Sequence, residues 1–285
     1  MDKQELASFL RSRRARLRPE DAGLPRGDRR RTPGLRREEV AVLAHISTEY
    51  YVRLEQGRAP RPSAEVLLAI VGALRLTNEE SDHLHVLAGT APIRAGLHRR
   101  DVRPSILALI ERAPQTAAFV RSAALEVLAW NDLAAALMED FAGLEPEDRN
   151  LARRAFLRAD SDGRPLYGIS DETEFRGRLV AELRRALARY PADPTVRDLI
   201  EELLDGSVEF ARLWQRHDIR AAPSLTKTFR HPAVGTITLD CDSMALDEAD
   251  QRLILYSAPR GSADADALAL LSLLGPRGMT APRTP

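Results

Sequence analysis

Apolar residues recur at helical spacing near the start of the chain, at Leu6, Leu10 and Leu17, and the pattern stops at Pro19. Residues 18–34 are rich in Pro, Gly, Asp and Arg and read as an irregular basic loop. From Leu35 to about Ala88 the helical period returns. Val40, Leu43 and Ala44 share one face of a helix, and Tyr51 and Leu54, three apart, share one face of the next. His45-Ile46 between them reads as a short turn with Ile46 inward, and Ser47 as the N-cap of the second helix. Gly57, Pro60 and Pro62 end it. Ser63 caps a further helix that buries Val66, Leu67, Ile70 and Leu74, and Thr77-Asn-Glu-Glu80 is a capping box opening the last one.

Beyond a linker-like stretch at 89–104 the period changes. Ile106, Leu107 and Ile110 suggest a short helix, and two short strands are expected at 116–121 and 125–130, joined by a tight turn. Helices are expected at 132–141, 150–157, 173–190, 195–204 and Val208–Gln215. Residues 226–258 hold three late strands, with β-branched or apolar runs at 235–240 and 252–257. A helix at Ala263–Leu274 closes the pattern, and residues 276–285 read as a disordered tail. The expected architecture is an all-α N-terminal domain of five helices (1–90) followed by an α+β domain (104–275).

A length of 285 residues suits two compact domains, and 44% hydrophobic content suffices for real cores. The formal charge is zero, which at first argues against a nucleic-acid partner. That total conceals a local imbalance. Eleven arginines lie between Arg11 and Arg37, opposed only by Glu20, Asp21 and Asp28. Clustered basic charge on an otherwise neutral chain is the footprint of a phosphate-binding face. The helix pair completes the picture: its second helix, 48–56, turns Thr48, Glu49, Val52 and Arg53 outward, as a helix lying in the major groove of DNA must. Thr48 can meet a base edge or a thymine methyl, and Arg53 can take guanine or grip a phosphate. The candidate DNA-binding residues are Arg30, Arg31, Arg36, Arg37, Ser47, Thr48, Glu49, Val52, Arg53 and Arg58.

Other chemistry is excluded by spacing. Cys241 is the single cysteine, so neither an intramolecular disulfide nor a CxxC zinc site is available. His83 and His85 are two apart on a helix and face different directions, and His217-Asp218 is a lone pair. Phosphate-cradling glycine loops are missing from the sequence. No enzyme activity, cofactor or metal is expected. With no signal-peptide core and no run of membrane-spanning length, a cytoplasmic protein is expected and no membrane partner.

The five helices, with the Leu54-Glu-Gln-Gly57 ending and the Pro62-Ser63 start of the next, resemble the lambda-repressor/Cro-type (XRE) helix-turn-helix family over about residues 6–88. His45 stands where that family usually has Gly, which predicts left-handed backbone strain. Arg31-Thr-Pro-Gly-Leu-Arg-Arg-Glu-Glu-Val40, Val127-Leu-Ala-Trp-Asn131, Arg149-Asn-Leu151, Leu213-Trp-Gln-Arg-His-Asp218 and Lys227-Thr-Phe-Arg-His-Pro-Ala-Val-Gly235 together resemble regulators with an MmyB-like ligand-binding domain. That resemblance implies a PAS-like fold with a five-stranded antiparallel sheet, and a small apolar ligand with a fatty acid as one candidate. The residues themselves offer Trp130, Phe141, Phe156, Trp214, Phe229 and Tyr256 as an apolar lining, with His217 or Lys227 as a polar anchor. The same aromatics serve equally as an ordinary core. A transcriptional regulator binding operator DNA as a homodimer is the leading reading. A helical protein-interaction regulator, antitoxin-like or sigma-factor-binding, is the alternative.

Overall fold

The computed structural model describes residues 1–25, 34–94, 96–158, 169–217 and 226–275. They form two compact units. One is Met1–Gly96 with Arg189–Ala192, and the other is Leu97–Ala188 with the residues from Asp193 onward.

The first unit holds α1 (Lys3–Arg16), α2 (Arg37–Leu43), α3 (Thr48–Glu55), α4 (Ala64–Ala73) and α5 (Asn78–Ala88). Each helix starts where a polar side chain satisfies an otherwise orphaned N–H. Asp2 caps α1, Ser47 accepts from the Tyr50 amide at 3.1 Å, and Ser63 accepts from Val66 at 3.3 Å. Thr77 and Glu80 exchange reciprocal bonds at the start of α5. The apolar faces meet in one core of Leu6, Leu10, Leu35, Val40, Tyr51, Leu54, Leu67, Ile70 and Leu84, among others. His45 has φ 52°, the left-handed conformation expected from its place in the turn. Gly34 is required for a different reason. A Cβ there would come within 2.6 Å of the Arg14–Ala15 backbone, and the Leu35 amide donates to the Arg14 carbonyl at 3.0 Å. The start of α2 is thereby pinned against the end of α1.

The second unit contains α6 (Pro104–Glu111), β1 (Ala117–Arg121), β2 (Val127–Trp130), α7 (Asp132–Leu137), α8 (Leu151–Phe156), α9 (Glu172–Arg189), α10 (Pro194–Gly206), α11 (Val208–Gln215), β3 (Thr226–His231), β4 (Gly235–Leu246), β5 (Gln251–Ser257) and α12 (Ala263–Leu274). The five strands form one antiparallel sheet in the order β2-β1-β5-β4-β3. Two elements differ from the sequence expectation. The helix expected over 132–141 stops at Leu137, and Asp140 starts a separate 3-10 turn at Phe141–Gly143. The strand expected over 235–240 runs on to Leu246, because its polar continuation pairs with β5 from Asp240 onward.

Asn131 ties the first half of this unit together. Its Oδ1 accepts from Ala118 and Ala134, and its Nδ2 donates to the carbonyls of Ile110, Ala113 and Thr116. One sheet face packs Ala118, Val120, Ala129 and Leu253 against Ile110 of α6. Strand register puts Lys227, Phe229, Ile237, Leu239, Cys241, Tyr256, Phe119 and Arg121 on the opposite face. Among the described residues no helix is long and apolar enough to cross a membrane.

Candidate nucleic-acid interface and ligand site

Helix α3 has two unlike sides. Tyr51, Leu54 and Glu55 are buried, whereas Thr48, Glu49 and Arg53 are exposed and Val52 is half-buried. Tyr51 and Leu54 anchor it by packing. Glu55 anchors it by charge. Its carboxylate is sealed from solvent and accepts from Arg14 Nε at 2.5 Å, Arg14 Nη2 at 3.2 Å and Arg37 Nε at 2.6 Å. Arg11 donates to the Glu55 carbonyl at 2.5 Å. Burial alone pushes the Glu55 carboxyl pKa up, but the hydrogen bonds from Arg14 and Arg37 outweigh it and hold the group below its ordinary value. The ends of α1, α2 and α3 therefore converge on one buried carboxylate.

The remaining candidate DNA-contacting residues lie around this helix. Ser47 is exposed and spends its hydroxyl on the cap, while Arg36, Arg37 and Arg58 are exposed at the start of α2 and just past α3. Arg37 is half-exposed at its side chain, with Nε engaged by Glu55. The Arg36 amide donates to the Glu39 carboxylate at 2.6 Å. Arg30 and Arg31 lie outside the described residues. Glu55 was missed by sequence reasoning, although a carboxylate set between a buried Leu54 and a strongly basic flank was a usable signal.

The candidate ligand residues fall into three aromatic groups. Trp130 and Phe141 lie 5.4 Å apart between ring centroids, with the Arg149 guanidinium over the indole. Phe156 and Trp214 both contact Phe210, and Arg184 covers Trp214 at 4.3 Å. His217 is exposed beside that group, its Nδ1 lying 3.0 Å from Arg184. Phe229 meets Tyr256 edge-on at 5.1 Å, and Tyr256 also contacts Phe119.

Lys227 belongs to the third group. It is only 7% exposed, and the Glu174 and Asp171 carboxylates lie near enough to act on its charge. Burial pushes its pKa down first, and the nearby Arg178 guanidinium adds to this. Cys241 lies two residues beyond the cross-strand partner of Lys227 and opposite Tyr256. The Cys241 thiol and the Tyr256 hydroxyl are both pushed up by burial. Arg121, on the same face, is paired with Glu182 of α9. Sequence reasoning found Lys227 through its motif but could not find Arg121, Arg178 or Glu182, whose proximity depends on the sheet and on α9.

A capped helix pair with an exposed second helix and a basic surround, joined to an α+β sheet domain, defines a DNA-binding transcription regulator with a ligand-binding domain. A helix-turn-helix domain model matches residues 5–84. The chain belongs to the family described as MmyB-like transcription regulator ligand binding domain, whose model matches residues 102–271. No curated protein matches the chain.

Proposed function

We propose that the chain is a cytoplasmic homodimeric regulator whose α3 face reads an operator and whose sheet domain binds a fatty-acid-like ligand. The observation that carries the DNA half is the division of α3 into a fully committed inner side and an exposed Thr48, Glu49, Val52 and Arg53. In this reading those four residues meet base edges, while Arg30, Arg31, Arg36, Arg37, Ser47 and Arg58 supply phosphate contacts. Dimerisation fits because one eight-residue helix reaches too few base pairs, and paired half-sites match two-fold protein symmetry.

Lys227 supports the ligand half. Burying this ammonium is costly, with Arg178 beside it and the Glu174 and Asp171 carboxylates only partly offsetting burial, and a carboxylate headgroup supplies further negative charge while an acyl chain lies against Phe229 and Tyr256. Binding anisotropy on the DNA flanking the gene, measured across a salt series, tests the first half. Arg53→Ala should relax sequence preference by about 1–3 kcal/mol of discrimination, and Arg36→Ala should weaken all sequences evenly with a salt slope reduced by about 1. Equal losses on all sequences from both variants would remove the division into base and phosphate roles. Thermal shift with tetradecanoate tests the second half, and the shift should be lost in Lys227→Met.

A further inference from the structure

The chain leaving the helical unit passes directly into a buried charge cluster. His98, two residues after the unit boundary at Gly96, has its imidazole 1% exposed. Its Nδ1 lies 2.7 Å from Asp193 Oδ2 and its Nε2 lies 3.2 Å from Glu126 Oε2. The His98 amide donates to the same Asp193 oxygen at 2.8 Å. A neutral imidazole carries one N–H and one lone pair, so it can donate to only one of these carboxylates and sets its lone pair against the other. Only the imidazolium donates to both.

The surrounding charges agree with that state. Arg100 of the same segment pairs with Glu126 at 2.7 Å, and Arg99 pairs with Asp101. From the β1–β2 turn come Glu126 and Ser122, whose hydroxyl lies 3.3 Å from the Glu126 carboxylate. Asp193 caps the start of α10 and accepts from the Thr195 amide at 2.9 Å. Two buried carboxylates thus face one imidazolium and one guanidinium. Among these groups, loss of the His98 proton leaves one negative charge in excess. Gln251 of β5 donates to the carbonyls of Arg99 and Asp101; it is not titratable and adds a pH-independent restraint beneath the one His98 supplies.

We propose that His98 is a protonation-operated latch, whose imidazolium tightens the seating of residues 97–103 on the sheet domain and whose deprotonation loosens it. Burial opposes the charged ring, but the hydrogen bonds it donates to Glu126 and Asp193 outweigh it and raise the His98 pKa above its ordinary value. A raised value means the latch is fully closed below the ordinary histidine range and opens as pH rises through the folded-state value.

Two measurements on the full chain decide the matter. Ring NMR should show His98 titrating above about 6.5. Hydrogen exchange of residues 97–103, corrected for intrinsic pH dependence, should accelerate by roughly tenfold or more across that titration, while β1 and β5 amides stay protected. His98→Gln should exchange rapidly in this segment at every pH. If that variant does not fold, the wild-type titration still decides. A ring that titrates at or below the ordinary value would overturn the latch, as would unchanged protection of 97–103 across the titration, or a His98→Gln protein that keeps the pH dependence.

Discussion

His45 and Glu55 bracket the recognition helix, and each departs from its surroundings in a way that can be measured. His45 sits at φ 52°, where a non-glycine residue costs about 1–2 kcal/mol. Glycine removes that strain but adds unfolded-state entropy worth about 0.5–1 kcal/mol, so His45→Gly should raise stability by ~0.5–1 kcal/mol in urea unfolding. Glu55 works in the opposite direction. Glu55→Ala leaves Arg14 confined without its counter-charge, while the half-exposed Arg37 can turn to solvent, so the expected loss is ~3 kcal/mol. Because the Glu55 pKa is depressed, its contribution is present above the ordinary glutamate value of 4.5 and fades as pH falls through the folded-state value. Acid titration followed by circular dichroism should show that fade in wild type and not in Glu55→Ala. Caps at Ser47, Ser63 and Thr77 were legible in the sequence because a cap and its target N–H lie three residues apart. Arg14 and Glu55 are 41 apart, and His98 and Asp193 are 95 apart. No local pattern relates such partners, so the charge clusters emerge only from the fold.

At the scale of elements, two short connections decide how helices and strands meet. Gly34 lets the chain pass against the last turn of α1, and Gly34→Ala should cost ~2 kcal/mol, because backbone rather than a flexible side chain occupies the space. Gly23→Ala, at φ 75° but in open space, tests conformational strain without a clash. In the sheet domain, Asn131 holds the end of α6, the start of β1 and the start of α7 together through five side-chain bonds to backbone. Asn131→Ala should destabilise that domain by ~2–3 kcal/mol, read from its own unfolding transition. Most element positions followed from periodicity. Element ends did not, where a change of hydrogen-bond partner sets them: α7 stops early because Asp140 offers the chain a competing turn, and β4 continues because β5 is there to receive a polar stretch.

At the scale of the molecule, a neutral chain carries a basic helix-turn-helix at one end of its sequence and a ligand-binding sheet domain at the other. If the proposed homodimer is right, sedimentation should give twice the chain mass, and DNA binding should be lost on dilution below the dimer dissociation constant. The sheet itself has one further property. Among the described residues, β4 is bonded to β3 through residues 235–240 and to β5 through residues 240–246, so the two ladders overlap only at Asp240. The open flank of the first half is bridged at Thr238, whose amide donates to Asp264 of α12 at 3.0 Å. Such a strand is a jointed lever rather than a rigid bar. Torque applied to the β3–β4 hairpin, where Lys227 and Phe229 sit, is passed to the neighbouring ribbon through the backbone articulation at Asp240 and the Phe229–Tyr256 ring contact, with Asp264 as its stay.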